Sequence, residues 1–558
     1  MEPVVTESGT YDIVVVGAGL AGLRAVVTAA QQGQTVLLCT KATLCSGSSF
    51  YTQMDTLHCQ GVLSQEDKAV FLEDVENASQ GMNDPYMNRY YVEHINERIR
   101  EFPQMGVEYQ ALPEPKLACF ANHPHALFSW TDWNKIRANA RAILASYPNV
   151  TVMERTDAAC ILTRSHAVTG MVLRSRTTGS FSMVGCSAVI LATGGFGALY
   201  RHNLNSPDVS GDGHALALAA GASLVNLEFN QFIPGYLKPV YRIVFREGTL
   251  EHCTAMEDHA GRDALRERIP DEAARRDLLF RRSKHGPFSS REGTADFDIA
   301  LMEGCTDPKT QGVRIHYSPA LYDDPRSYIQ YYLKWLQYVY HVDLRTADTG
   351  IAPFFHAANG GIYVDHRCQT RVQGLFACGE AAGGIHGADR LGGNATGSCL
   401  VFGHLAASSA VEYAKGHCAD APTLADAHRA LGEIFRGTGT IAPKAVIEKV
   451  QDIMWCKANI LRREETLKEA LEEIQSLKAL YDPFPYFDTP EGHLALQASH
   501  ALTLAPALLT AMIERRETRG AHCRQDYPQT DRVNLYRLVL TQEQGRLTCH
   551  REAPPPRN

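Results

Sequence analysis

Several features are missing from this chain of 558 residues, and each absence excludes something. There is no excess of positive charge: the formal net charge is −8, although arginine and other charged residues become dense between Pro234 and about Gly350. The electrostatic footprint of a nucleic-acid or anionic-membrane binder is therefore absent. No uninterrupted apolar run reaches the ~18 residues that a membrane-crossing helix needs. The opening stretch MEPVVTESGTYDIVVVG has no basic segment ahead of an apolar one, so no export signal is expected. The fifteen cysteines include no C-x-x-C pair, which argues against an iron–sulfur site held by this chain alone; no metal site is expected. Scattered thiols without a pairing pattern read as those of a reduced, cytoplasmic protein. There is no internal repeat and no low-complexity linker. What remains is ordinary for a globular chain, 45% apolar and 21% charged, with room for roughly three domains or one composite fold.

The first positive signal is near the start. Tyr11 to Val16 is a short β-branched run, and Gly17-Ala-Gly19-Leu-Ala21-Gly22 follows it directly. A helical pattern then runs from Leu23 to Gln32, and Thr35 to Cys39 reads as a second strand. Strand, glycine turn, helix and strand make the β-α-β unit of a dinucleotide fold, with a pyrophosphate at the helix N-terminus. The second strand ends at Thr40-Lys41 instead of the acidic residue that holds a ribose in nicotinamide enzymes.

The most informative stretch lies later. Gly379-Glu380-Ala-Ala-Gly-Gly is followed by His386-Gly-Ala-Asp389-Arg390-Leu-Gly-Gly-Asn394. A carboxylate there can hold a ribose hydroxyl pair, an arginine can grip a carboxylate with two parallel hydrogen bonds, and glycines let the backbone approach a flat cofactor.

Together these segments resemble the flavoproteins of the fumarate reductase, succinate dehydrogenase and L-aspartate oxidase family. Further matches are the strand Ala188 to Gly195 running into a glycine turn, and Gly211-Asp-Gly-His opening a helix over Gly213 to Ala220. The resemblance implies an α/β fold: a Rossmann-like FAD-binding domain (1–235 and 351–422) interrupted by an α+β capping domain (236–350), then a helical C-terminal domain (423–558). It implies noncovalent FAD held by Gly17, Gly19, Ala21, Gly22, Lys41, Ser48, Ser49, Thr193, Gly194, Asp212, Gly379, Glu380, Arg390, Asn394 and Ser398. Membrane-bound succinate dehydrogenases attach FAD through a histidine in the register of Ser48, and serine cannot form that link.

The resemblance also assigns the chemistry. His356, ahead of Asn359-Gly-Gly, and Arg390 match residues that hold a substrate carboxylate. Arg276, in Ala273-Ala-Arg-Arg-Asp277, matches the proton-transferring arginine, and Arg246 the arginine on the proton path. The chain departs from the pattern at several points. Ile233 stands where a second substrate histidine is usual, and Arg242-Ile243 where Thr-Glu is usual. Arg242 is then a further candidate for the substrate, and Glu247 a stand-in for the missing carboxylate. Asp389 replaces asparagine, and Gln53-Met54-Asp55 replaces Gln-Gly-Gly.

The expected activity is hydride transfer between flavin N5 and a carbon next to a carboxylate. The expected substrate has one carboxylate and a less polar or larger far end, unlike fumarate or succinate. An amino-acid oxidase of the L-aspartate oxidase kind is one alternative. The other is the flavoprotein subunit of an electron-transfer complex, with an iron–sulfur or other electron-donor partner that could bring it to a membrane surface. The sequence is compatible with an oligomer.

Overall fold

The computed structural model describes residues 3–50, 57–131, 133–305, 312–417, 420–533, 535–543 and 545–556. Ile13, Val14, Val15 and Val16 are all buried, as a parallel strand covered on both faces demands. They end strand β1 (Val5–Val16), which starts six residues before the predicted Tyr11. The extra residues pair with Phe181–Met183, and a bulge between Glu7 and Thr10 absorbs the change of register. Helix α1 (Leu20–Gln31) begins at the glycine turn itself, with Gly19 extended at its N-cap, three residues ahead of the predicted Leu23. Strand β2 (Val36–Cys39) then lies parallel to β1.

The main sheet runs Val150–Met153, β2, β1, Phe181–Leu191, Ala167–Ser175, Thr156–Arg164, and Leu375–Ala377 pairs with the end of Phe181–Leu191. Its parallel strands (Val150–Met153, β2, β1, Phe181–Leu191 and Leu375–Ala377) end on the same side, which places their C-terminal turns around one crevice. Two glycines fix the geometry of the first turn. Gly17 has φ +106°, and a Cβ there would lie 2.4 Å from Ala192 O; a Cβ on Gly22 would lie 1.8 Å from Gly17 O. No side chain fits at either position.

Strand Asn230–Lys238 leads out of this domain and Gly350–Ala358 leads back, and the two pair antiparallel. The residues between them form a cap with its own core around Phe245, Phe297, Leu301 and Tyr332. The C-terminal region packs helices Pro443–Lys457, Glu464–Ala479 and Gly492–Glu514 against one another. The last of these is long and apolar enough to cross a membrane, but 67% of its most apolar window is buried inside this fold. These helices form the expected helical C-terminal domain, and two strands that the sequence does not signal follow them. Arg537–Glu543 and Arg546–Glu552 form a hairpin whose first strand pairs with Leu224–Val225 of the cofactor domain. Alternating burial along Arg546–Glu552 is the period-two signature of that hairpin.

Candidate functional site

The crevice at the strand ends is a cleft of about 890 Å³ when the solvent at its mouth is counted. Gly17, Gly19, Ala21, Lys41, Ser48, Ser49, Thr193, Gly194, Asp212 and Glu380 line it. Its floor is the N-terminus of α1, where free N–H groups favour an anion. Thr193 Oγ1 and Asp157 Oδ2 are buried in its wall without a hydrogen-bond partner, so the cleft offers polar atoms that a ligand can satisfy. These features fit a dinucleotide. Lys41 Nζ lies 2.5 Å from Asp212 Oδ2 and also reaches Ser210 Oγ, and His500 Nδ1 lies 3.1 Å from Asp212 Oδ1. Burial alone would raise the Asp212 carboxyl; Lys41 and His500 outweigh it and hold the group well below the usual carboxylate range.

Glu380 joins this cleft to a second group of residues. It accepts the Ala358 N–H at 3.0 Å, and burial raises its carboxyl against the pull of Arg390. Two residues before Ala358 stands His356. Gln231 pairs with Ala357 but Phe232 with Phe355, so His356 is the extra residue of a β-bulge. Bulges re-aim a side chain in this way beside active sites. The His356 Nε2 lies 3.4 Å from Arg390 Nη2. Burial, and then Arg390, push the imidazole down to about 3, so it is neutral and accepts from the guanidinium. Arg390 is itself buried, and its Nε has no hydrogen-bond partner. A buried cation with spare donors is a binding site for an anion such as a carboxylate.

Beside the Arg390 loop are residues of the cap and of the 116–120 segment. Gly392 N–H donates to Cys119 O at 3.0 Å, which sets Cys119 beside the Arg390 loop. Gly286 N–H donates to Cys119 Sγ at 3.3 Å. A Cβ built on Gly286 would lie 3.0 Å from Ile233 Cδ1 and 3.6 Å from Glu247 Oε2. Cys119, Gly286, Ile233 and Glu247 thus share one wall. Arg246 flanks it, with Cζ 5.8 Å above the Tyr332 ring. Asp389 sits behind Arg390, accepting from Ser289 Oγ at 2.6 Å and Gln80 Nε2 at 3.1 Å.

Several expectations are corrected. Arg276 is not in the site. Its side chain is 79% exposed and pairs with Glu272 at 2.5 Å one helical turn away. Helix Glu272–Arg282 buries Leu278, Leu279 and Arg282, and the Arg276 side turns to solvent as a result. The buried arginine there is Arg282, gripped by both oxygens of Asp298 at 2.8 and 2.9 Å. Arg242 does not extend toward a ligand either. Its guanidinium donates to Asn203 O and Asn203 Oδ1, both at 3.0 Å, and to Asn205 O. Asn205 Nδ2 in turn donates to His356 O at 2.9 Å, so Arg242 braces the loop behind His356. Among the cofactor candidates, Gly22, Gly379, Arg390, Asn394 and Ser398 do not line the cleft. Asn394 Oδ1 accepts from Tyr91 Oη and Ser398 Oγ donates to Ala395 O, both inside the fold. The Gln53-Met54-Asp55 segment lies outside the described residues.

Other residues at the site carry no sequence signal. Ser46, Thr156, Asp157, Asp208 and Cys399 also line the cleft. Gln60, on strand His58–Gly61, has a fully buried amide with neither end bonded, packed on Gly393. The segment 519–521 closes the site from behind: Arg519 donates to Gln80 O, Ala521 N–H to Ala388 O, and Ser290 N–H to Gly520 O. The motif Arg519-Gly-Ala-His522 is visible as a glycine turn between charged residues, but nothing local ties it to Arg390.

A dinucleotide-binding sheet interrupted by a cap, with a buried cation and imidazole at the junction, defines a flavoprotein oxidoreductase. The chain belongs to the family described as FAD binding domain, whose profile matches residues 12–297 and 314–396. A second profile, fumarate reductase flavoprotein C-term, matches 447–552. One of the subunits of the fumarate reductase (CoM/CoB) of Methanothermobacter marburgensis is 27% identical, with 94% of this chain and 96% of that protein covered. The L-aspartate oxidase of Streptomyces coelicolor is 28% identical, with 95% and 91% covered. In fold the chain is similar to Mycobacterium smegmatis Sdh1, with a TM-score of 0.82, 24% identity and coverage of 99% and 95%. It is an FAD-dependent oxidoreductase of the fumarate reductase and L-aspartate oxidase type.

Proposed function

We propose that this enzyme moves a hydride to or from a carbon adjacent to a single carboxylate, and that the substrate's far end is apolar. The observation that carries this reading is the pair of buried Arg390 and half-buried His356, 3.4 Å apart, in a site whose cap-side wall contains Ile233. Arg390 grips the carboxylate with its fork of donors, and the neutral imidazole of His356 orients it. Ile233 has no donor for a second carboxylate, and a charged group placed against it would be desolvated without a partner. Bound FAD supplies two-electron hydride chemistry. Gly17, Gly19, the N-terminus of α1, Lys41 with Asp212, and Glu380 would hold it, noncovalently, since Ser48 is the side chain at the family's attachment register.

Relatives named as subunits support exchange of electrons with a partner protein. Glu247, a carboxylate on the wall facing Arg390, also favours a second reading, in which it pairs with the ammonium of an amino-acid substrate.

The test is anaerobic. The flavin is reduced with dithionite, then crotonate, cinnamate or fumarate is added and the return of oxidised-flavin absorbance is followed. Faster reoxidation by the monocarboxylates than by fumarate supports the reading. Reoxidation by fumarate alone rejects the substrate class, and reoxidation by oxygen alone, with turnover of an amino acid, favours the second reading.

A further inference from the structure

We infer that Glu247 is the group that exchanges a proton with the substrate. The inference rests on the carboxylate-adjacent hydride chemistry proposed above.

Adding a hydride to one carbon of a C=C bond obliges the neighbouring carbon to take a proton. A proton-exchanging side chain must therefore face the bound substrate across from the Arg390–His356 pair. The wall opposite that pair can be taken residue by residue. Ile233 and Gly286 have nothing to give, and the next two residues, Pro287 and Phe288, have no ionisable group. Phe288 is moreover tied to the site strand through its N–H to Phe232 O at 2.8 Å. The Cys119 thiol is pushed up to about 11, by burial first and by the Glu247 carboxylate second, and its sulfur already accepts the Gly286 N–H. Arg246 presents a guanidinium, a strong donor of hydrogen bonds but a poor donor of protons. Arg276 stands in solvent, paired with Glu272, and Arg282 is locked to Asp298 behind the wall. Glu247 remains. Its Oε2 lies 3.6 Å from where a Gly286 side chain would begin, within the same group as Ile233 and Cys119.

The residue also has a route to water. A Cβ built on Gly248 would lie 2.7 Å from Tyr328 Oη, and Tyr328 is 47% exposed. Burial, with the carboxylates of Glu247, Glu251 and Asp324 adding to it against Arg326, raises the phenol of Tyr328 above its usual range. Its hydroxyl, packed on Gly248 next to Glu247 and partly exposed, can pass a proton between solvent and the Glu247–Gly248 turn.

In the reducing direction the Glu247 O–H bond breaks as a C–H bond forms on the substrate carbon. Reduced FAD, when bound, would supply the hydride that completes the two-electron reduction. Glu247 is left as a carboxylate and recovers its proton from solvent past Tyr328. In the oxidising direction the same carboxylate takes the proton away.

The test uses the full-length, FAD-loaded enzyme and its Glu247→Gln, Glu247→Asp and Arg276→Ala variants. Reoxidation of the dithionite-reduced flavin by crotonate gives the rate. Perturbation of the oxidised-flavin spectrum by crotonate gives a dissociation constant without turnover. Glu247→Gln should slow reoxidation by about 10²- to 10⁴-fold, the usual worth of a general acid. Its dissociation constant should stay within about threefold, as a group that acts on the reacting carbon and not on the bound carboxylate requires. Glu247→Asp should recover at least tenfold of the lost rate, and Arg276→Ala should match the parent. A Glu247→Gln rate within threefold of the parent would overturn the inference. So would loss of rate and binding together with no rescue by aspartate, which marks a structural role. Failure of the parent enzyme itself to be reoxidised by any enoate overturns the functional reading and this inference with it, and is told apart because it precedes any mutation.

Discussion

Ser289 of the cap donates a 2.6 Å hydrogen bond to Asp389, the residue immediately before the anion-gripping Arg390. The cap is thereby fastened to the loop that carries the substrate cation. Burial raises the Asp389 carboxyl to about 8, against the opposing pull of Ser289 and Arg291. The acid is accordingly neutral at and below neutral pH and takes the part of the asparagine usual in the family.

That state makes stability depend on pH in a definite direction. A carboxyl raised on folding is favourable where the unfolded group is also protonated, and becomes a growing cost as pH rises from the usual carboxylate range toward about 8. Thermal unfolding should show the parent losing stability between pH 5 and pH 9. Asp389→Asn should flatten that profile and be the more stable protein at pH 9, by on the order of 3 kcal/mol.

Arg390 and Arg276 should separate cleanly. Arg390→Lys keeps the charge but loses the planar fork, and should raise the dissociation constant for crotonate by about 10- to 100-fold in a flavin-spectral titration. Arg276→Ala should leave that constant and the melting temperature unchanged, since an exposed one-turn ion pair contributes at most about 0.5 kcal/mol. Weaker crotonate binding in Arg276→Ala would return that residue to the site.

Arg242 is expected to act through His356 and not on substrate. Arg242→Met removes three donors from Asn203 and Asn205 and should cost about 1–3 kcal/mol of stability in a denaturant titration. Turnover should fall less than about fivefold at saturating substrate, the loss a slackened loop behind His356 produces. A large rise in KM with unchanged stability would instead mean direct contact with the substrate.

The Lys41–Asp212–His500 set should govern retention of FAD. The Asp212 carboxyl is depressed, so its contribution is present above the usual carboxylate range and is lost only as pH falls through its lower folded value. Release of flavin fluorescence on acidification should be late in the parent. Asp212→Asn should weaken FAD binding by about 10- to 100-fold already at pH 7, the worth of a charge-assisted hydrogen bond.

Ile233→His puts a donor back into the wall opposite Arg390. The ratio of reoxidation rates, fumarate over crotonate, should rise by about tenfold or more. No change in the ratio would show that Ile233 does not meet the far end of the substrate.

What can be read from the sequence is what local backbone geometry demands. Gly17 and Gly22 must be glycine because Ala192 O and Gly17 O occupy the places a side chain would take, so the motif survives in any fold-competent sequence and is visible in a six-residue window. The Glu380-to-Arg390 loop is legible for the same reason. A motif misplaces Arg276 because it says nothing of which helix face turns inward; Leu278, Leu279 and Arg282 settle that through contacts distant in the chain. Asp157 enters the cleft from a strand with no pattern of its own. The bulge that lifts His356 out of register depends on its pairing with strand Asn230–Lys238, more than a hundred residues earlier.

The hairpin Arg537–Glu552 has a consequence for how the molecule is made. It completes a sheet begun by Leu224–Val225, over three hundred residues upstream. On a ribosome moving from the N-terminus, that strand waits with an open edge until the hairpin emerges, and the segment 519–521 reaches the Arg390 loop equally late. The cofactor domain therefore cannot mature vectorially. Its closure waits for the hairpin, and nascent chains of intermediate length expose a strand edge open to wrong pairing.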